Sequence, residues 1–188
     1  QDASAWKSPL VPRAAIGRDS VAALYRSQYL PGNNVALAWT GSIPGCNPGT
    51  TNADHQQAVI TRVNYYRALV GLPPVTRPGA DERSQAQAAA LMMSANTALS
   101  HIPPGDWTCY SAAGATGAGS ANIALGQRGV GAIDLYIDDP GPNNDVAGHR
   151  RWILFPPRAA MATGDVAGGN TPPLPANAPS FEGTAPVA

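Results

Sequence analysis

The chain is poor in charged residues, and lysine is almost absent from it. Only 13% of its 188 residues are Asp, Glu, Lys or Arg, the formal net charge is zero, and Lys7 is the single lysine. No basic cluster is larger than the pair Arg150–Arg151. Because nucleic-acid binding needs a clustered positive surface, this composition argues against a nucleic-acid partner.

Long apolar runs are missing as well. The run AAALMM at 88–93 is far shorter than the roughly 20 residues that a membrane-spanning helix needs, so we expect no membrane span. The chain begins QDASAWK, without Met, as a chain does after a signal peptide has been removed. The sequence therefore predicts a secreted protein, extracellular or periplasmic.

Cysteine is scarce, with only Cys46 and Cys109 present. In a secreted chain an even number of cysteines favours a disulfide, and both residues lie in Pro/Gly-rich, turn-like surroundings. The alternative is two unpaired, partly buried thiols. A bridge between them would close a long loop and thereby restrict the unfolded chain.

Apolar spacing and Gly/Pro punctuation predict helices at 18–30, 53–72, 80–99 and 129–141. The inner face of helix 80–99 is small, with Ala86, Ala89 and Ala90, so another backbone can approach it closely. His55, in the first turn of helix 53–72, is expected to face solvent.

Strands are predicted at 35–39, 149–155 and 159–167, the last two as a hairpin, whereas 100–126 is predicted to be irregular. Helices followed by a hairpin indicate an α+β domain. We predict an N-terminal arm and short helix at 1–52, the main domain at 53–167, and a Pro/Gly/Ala-rich tail at 168–188. That tail is either loosely ordered or docked as a strand.

The segment DDPGPNNDVAGHRRWIL, at 138–154, changes abruptly from polar to apolar. Its oxygen-rich first half could suit calcium, but it lacks the spacing and the distal Glu of a calcium loop, which favours a simple turn. A Ser-His-Asp hydrolase is a further option, because Ser100, Ser111 and Ser120 precede the segment, although no G-x-S-x-G motif exists. Trp107 and Trp152 are expected in the core or in the wall of a cleft.

Four short motifs occur in a consistent order: NYYRALVGLPPV at 64–75, LSH at 99–101, GSANIALG at 119–126 and GHRRWIL at 148–154. Together they resemble the CAP superfamily, which comprises cysteine-rich secretory, antigen 5 and pathogenesis-related 1 proteins. The resemblance covers about residues 53–167 and is closest to a bacterial secreted branch. It implies that Cys46 and Cys109 form that branch's own disulfide.

The resemblance also implies a fold, namely a three-layer α-β-α sandwich with a small antiparallel sheet and a large cleft. Two histidines and two glutamates face each other in this cleft, and in several members they hold a divalent metal such as zinc. His101 and His149 match the two histidines. Ala121 occupies one glutamate position, and Asp138 or Asp139 lies near the other.

The cleft residues implied by this resemblance are His101, Asn122, Asp138, Asp139 and His149, and the metal ligands would be the two histidines. Because one carboxylate is missing at Ala121, a binding domain for a small molecule, lipid, peptide or metal is favoured over an enzyme. The first alternative is a zinc-dependent hydrolase with Asp138 or Asp139 as its base. The second alternative is a structural or adhesive component whose sheet is completed by self-association or by another chain.

Overall fold

The computed structural model describes residues 17–167 and the backbone of residues 181–184. The predictions for the N-terminal arm before residue 17, and for the tail outside 181–184, lie outside the described residues. The described ranges contain these helices: α1 Arg18–Leu24, α2 Ala53–Leu69, α3 Ala80–Asn96, α4 Ala112–Gly119, α5 Val130–Asp138, α6 Asn143–Val146 and α7 Gly148–Ile153. A π-helical turn, Tyr25–Tyr29, and a 3-10 turn, Leu30–Asn34, follow α1.

Three short strands form an antiparallel sheet in the order β1-β3-β2, with β1 at Asn122–Leu125, β2 at Gly164–Asp165 and β3 at Phe181–Thr184. The central strand β3 pairs with both neighbours, so that Gly183 lies opposite Ile123 on one side and Gly164 on the other. The described part of the chain is thus an α+β structure. None of its helices is long and apolar enough to cross a membrane.

One half of the core forms where α4 packs on the small face of α3. Ala86, Ala89 and Ala90 are fully buried there. A Cβ atom on Gly117 would lie 2.3 Å from the carbonyl oxygen of Gln85, so the two helix backbones are almost in contact. The predicted close approach to this face is therefore present, and it depends on glycine in α4 as well as on alanine in α3.

The other half of the core joins α2, α5 and α7 around the buried side chains of Val59, Val63, Ile133, Tyr136 and Ile153. Polar contacts fix α5 on α2, because Asp134 forms an ion pair with the fully buried Arg62 and accepts a hydrogen bond from the hydroxyl of Tyr66 at 2.9 Å. Burial, followed by the hydrogen bond to Asp134, raises the pKa of Tyr66.

Arg67 of α2 is fully buried, and all its partners among the described residues are backbone carbonyl groups. Its Nε donates to Pro73 at 2.8 Å, one terminal nitrogen donates to Ile153 at 2.9 Å and Phe155 at 3.0 Å, and the other donates to Arg158 at 3.2 Å. These acceptors include the last residue of α7, so Arg67 connects α2 to the end of that helix. Burial and the nearby charge of Arg158 lower the pKa of Arg67.

The predicted disulfide is confirmed. Cys46 and Cys109 are bonded, with their Cα atoms 5.1 Å apart. The bridge joins the loop that precedes α2 to the segment that precedes α4, and Trp107, near one cysteine, packs against the α3–α4 core.

The strand predicted at 149–155 is wrong, because the segment forms helix α7. Ala147, in the left-handed region with φ of 47°, precedes the helix, and the N–H groups of Arg151 and Leu154 donate to carbonyl groups four residues earlier. The hairpin with 159–167 is therefore also absent from the described residues. Only Gly164–Asp165 of that second segment is a strand.

Other boundaries also differ from the predictions. The segment 100–126 is not uniformly irregular, because it contains α4 and β1, and the Ser111 hydroxyl caps α4 by accepting a hydrogen bond from the N–H of Gly114. Residues 35–39 form no strand, and Ala38 there has a φ of 43°. Helix α3 ends at Asn96 because Thr97 adopts the left-handed conformation.

The expectation that His55 faces solvent is wrong, since the residue is only 5% exposed. Its Nε2 lies 2.9 Å from Oδ2 of the fully buried Asp165, which also accepts hydrogen bonds from Thr163 Oγ1 and from the N–H of Gly129. A distant carboxylate thus satisfies a polar residue in the core. Helical position alone does not reveal such a partner.

Candidate functional site

The two predicted cleft histidines line the same pocket, which has a volume of about 530 Å³. An adjoining pocket of about 180 Å³ also contains both of them. We call these two pockets together the histidine cleft. The polar lining of the larger pocket consists of Ser100, His101, Asp139, Asn143 and His149, and its apolar lining consists of Leu99, Ile123, Ala124, Leu125, Leu135, Tyr136 and Pro140.

His149 is held by a buried carboxylate. Its Nδ1 lies 2.7 Å from Oδ1 of Asp139, and its ring stacks on Tyr136 with the centroids 5.3 Å apart. The side chain of Asp139 is fully buried, whereas that of His149 is 30% exposed. Because a carboxylate accepts, Nδ1 carries the proton, and in the neutral ring Nε2 has a lone pair that no partner in the described residues occupies.

Asp139 occupies a tightly defined position after the last residue of α5. Its backbone is left-handed, with φ of 49°, and its Oδ2 accepts from the N–H of Arg150 at 3.3 Å. Burial alone would raise the pKa of this carboxyl group. The hydrogen bonds from His149 and Arg150, together with the charges of these two residues, outweigh burial and lower the pKa of Asp139 below its usual value.

His101 reaches the cleft from the loop after α3. Its Nδ1 lies 2.8 Å from the carbonyl oxygen of Ala118 in α4, so Nδ1 is the donor and Nε2 is again the nitrogen without a partner in the described part of the chain. Both histidines therefore have the same tautomer, and each is oriented by one acceptor behind the ring.

Asn122 of β1 lines the smaller pocket and donates from Nδ2 to the carbonyl oxygen of His149 at 3.1 Å. Asp138, in contrast, is exposed and lines neither pocket; its carbonyl oxygen accepts from Arg150 at 2.8 Å. Of the two adjacent carboxylates, the structure brings only Asp139 to the histidines.

Sequence reasoning missed Asn143 in the polar lining, and it missed Tyr136 and the leucine side chains in the apolar lining. Helical spacing in α5 placed Tyr136 and Leu135 on that helix, but nothing local showed that they meet β1 and the loop after α3. Trp152, predicted for the core or a cleft wall, is half exposed and lines the smaller pocket.

The structure gives little support to the alternative of a Ser-His-Asp hydrolase. Ser111 caps α4, and the hydroxyl of Ser120 donates to the carbonyl oxygen of Thr116 at 3.0 Å. Only Ser100 of the three lines the larger pocket, where its oxygen accepts from the N–H of Ile102 at 3.0 Å. No described hydrogen bond joins any of these serines to His149.

The side chains of the histidine cleft supply only some of the ligands that a metal ion needs. A catalytic zinc ion usually has three protein ligands, but the described residues contain no group of three His, Cys, Asp or Glu side chains that could hold a metal. Asp139 is already engaged on both oxygens, and Ala121 supplies no donor. In the oxygen-rich segment, Asn144 accepts from Arg150, while Asp138 and Asp145 are exposed, so calcium finds no cluster among the described side chains either.

We expect the Asp139→Asn variant to lose about 2 kcal/mol of stability at pH 6, since a buried charged hydrogen bond to His149 is weakened. The lowered pKa of Asp139 also makes a pH-dependent contribution to the wild type. That contribution is present above the unfolded-state pKa of about 3.9 and is lost as the pH falls through the lower folded-state value.

Urea unfolding at pH 6, 5, 4 and 3 measures both effects. The difference in stability between wild type and Asp139→Asn should shrink as the pH falls below about 4. Asp138→Asn, in the exposed neighbour, is the matched control and should follow the wild type at every pH. A constant difference across the series would contradict the assignment of this contribution to Asp139.

The comparison with protein-family models supports the resemblance to the CAP superfamily. The model of the cysteine-rich secretory protein family, CAP, matches residues 60–171, which is more than half of the chain and includes Arg67, His101, Asp139 and His149. No curated protein and no solved structure was found to match. The chain belongs to the CAP (cysteine-rich secretory protein) family.

Proposed function

We propose that the histidine cleft reversibly binds a small amphiphile, meaning a molecule with an apolar body and one polar group, and that it does so without chemical turnover. The observation that carries this proposal is that His101 and His149 share one mainly apolar pocket of about 530 Å³. Small-molecule sites have volumes of roughly 300–1,000 Å³ and combine an apolar lining with a few oriented polar groups.

The orientation of the two imidazoles suggests which polar group the ligand carries. Each ring donates from Nδ1 to a protein acceptor, so each neutral ring offers Nε2 as an acceptor. A ligand hydroxyl can donate to such a nitrogen. The leucine side chains at 99, 125 and 135 would then contact the apolar body of the ligand.

Binding is favoured over catalysis because no described hydrogen bond joins a serine hydroxyl to His149, the imidazole that could act as a base. Asp139 accepts hydrogen bonds from His149 and from Arg150, so the role of this carboxylate is to orient the imidazole. The second carboxylate of the family pattern is replaced by Ala121, and an alanine cannot deprotonate or orient a nucleophile.

Zinc is the alternative occupant of the same site. A carboxylate behind a ligating histidine is the usual outer-shell arrangement of a zinc site, and the Asp139–His149 pair has this form. With only two imidazoles as ligands, the site would need further donors from the ligand or from solvent, so we place zinc second. A zinc-dependent hydrolase would follow only if zinc binds.

Imidazole nitrogen NMR tests both occupants, because the chain has only three histidines. On titration with 1-decanol in the presence of EDTA, we expect the Nε2 signal of the cleft histidine that accepts the hydroxyl, His101 or His149, to shift to saturation. The signal of His55 should stay constant, since that residue is buried against Asp165. In a separate titration of metal-free protein with zinc chloride, we expect no saturation at one equivalent.

Matched variants locate the ligand. Leu125→Asn, in the pocket wall, should weaken 1-decanol binding about tenfold, which corresponds to about 1.4 kcal/mol. Ile102→Asn should leave it unchanged, since Ile102 is 88% exposed and lines neither pocket. Stoichiometric zinc uptake that is lost in His149→Ala, with no response to 1-decanol, would replace our proposal with the metal site.

We also propose, from family membership, that the protein is secreted and has the three-layer α-β-α sandwich of its family, and that it belongs to a bacterial branch. The disulfide supports an oxidising compartment. The strands β1 and β2 are the edges of the described sheet, so an assembly role would require a second chain to pair with one of them. No described contact favours that role over binding.

A further inference from the structure

A second concave surface is formed by α7 and the residues that follow it. This groove, which we call the Trp152 groove, has a volume of about 630 Å³ and is lined by Gly148, Arg150, Arg151, Trp152, Leu154, Phe155 and Pro156. The rings of Trp152 and Phe155 lie edge to face, with centroids 5.9 Å apart, and the two residues are 49% and 41% exposed. Exposed aromatic side chains grouped in a concave surface are typical of a binding site.

Positive charge accompanies this apolar surface. The guanidinium group of Arg151, an exposed residue, forms no hydrogen bond or ion pair within the described residues. The guanidinium group of Arg150 donates only to uncharged acceptors, namely the carbonyl oxygens of Ile137 and Asp138 and the side-chain oxygen of Asn144. Neither arginine takes part in any of the ion pairs of the described structure.

We propose that the Trp152 groove is a binding site for a single anionic amphiphile, an alkyl chain that ends in a carboxylate or sulfate. The alkyl chain would lie against the side chains of Trp152, Leu154 and Phe155, and the anionic group would pair with Arg151. The concave shape and the volume suit one molecule, whereas the surface of a bilayer is flat. This site does not depend on the histidine cleft for its chemistry.

The groove and the histidine cleft adjoin but can be separated by mutation. Gly148 and Trp152 line both the groove and the smaller histidine pocket. Arg151 and Phe155 line the groove alone, while His101 lines the cleft alone. Variants at Arg151 and Phe155 therefore change the lining of the groove and remove no residue that lines the cleft.

Isothermal titration with monomeric dodecanoate tests the proposal. We expect saturable binding by the wild type, with an affinity about tenfold weaker in Arg151→Gln and in Phe155→Ala. Arg77→Gln is the matched control, because it removes the same charge from an exposed arginine whose only described partner is Gln56. Its affinity for dodecanoate should equal that of the wild type.

Three outcomes would overturn the proposal. The first is a lack of charge selectivity, shown either by an equal loss of affinity in Arg151→Gln and Arg77→Gln or by equally strong binding of dodecyltrimethylammonium. The second is binding only to phosphatidylglycerol vesicles and not to monomeric dodecanoate, which would indicate a membrane-docking surface. The third is a loss of dodecanoate affinity in His101→Ala without such a loss in Arg151→Gln, which would place dodecanoate in the histidine cleft. If His101→Ala retains dodecanoate but loses 1-decanol, the two sites are separate.

Discussion

Replacement of Arg67 by methionine is expected to lower the free energy of unfolding by about 4 kcal/mol. The guanidinium group is fully buried and donates to the carbonyl groups of Pro73, Ile153, Phe155 and Arg158. Methionine fills a similar volume but has no donor. Four carbonyl oxygens would therefore lose a partner at once, and the loss is most costly at Ile153, where the contact is buried and an unsatisfied group costs about 1–3 kcal/mol.

Urea unfolding followed by circular dichroism measures this effect, with Arg77→Met as the control. Arg77 is exposed and makes one side-chain hydrogen bond, of 3.3 Å, to Gln56. Its replacement should change stability by less than about 0.5 kcal/mol. If Arg67→Met and Arg77→Met were equally stable, the carbonyl groups around Arg67 would not depend on it for hydrogen bonding.

The second large effect is expected for Gly117→Ala, which should destabilise the protein by about 2–3 kcal/mol. A Cβ at this position would lie 2.3 Å from the backbone oxygen of Gln85, which no side-chain rotation can move away. Overpacking of this kind typically costs 1–3 kcal/mol. The gain of about 0.5–1 kcal/mol that alanine brings to a helix interior offsets only part of it.

Gly119→Ala provides a control within the same helix. At this position the nearest atom to the added Cβ is the carbonyl oxygen of His101 at 3.5 Å, an ordinary van der Waals distance. We expect thermal unfolding of Gly119→Ala to differ from the wild type by no more than 2–4 °C, while Gly117→Ala melts markedly lower. Similar melting temperatures for the two variants would show that α3 and α4 can move apart without a loss of stability.

The sequence predicted much of this arrangement where the signal was local. Apolar spacing, acidic residues in a first turn and Gly/Pro stops indicated α2, α3 and α5, and the small face of α3 indicated close packing. Cys46 and Cys109 were correctly paired. His101 and His149 were chosen from short motifs, and the structure brings them to one pocket, although their roles stay predictions.

The wrong predictions concern segments whose burial or secondary structure depends on contacts with residues far away in the sequence. His55 looks like a surface residue in its helix, but Asp165 provides a buried partner from the far side of the chain. The segment around Trp152 has too few apolar residues to distinguish a strand from a helix. There the bonds from Arg67 to the end of α7 stabilise the helical form. The spacing of apolar residues in a single sequence reveals neither the contact of His55 with Asp165 nor that of Arg67 with the end of α7.

The order of the strands in the sheet has a consequence for how the protein folds. Neither β1 nor β2 pairs with the other; each pairs only with β3, which is the last described segment of the chain. Until that segment is in place, both earlier strands lack ladder partners, and the chain between β1 and β3 must close as a long loop. Because closing long loops slows folding, we expect the helical core to assemble before the sheet.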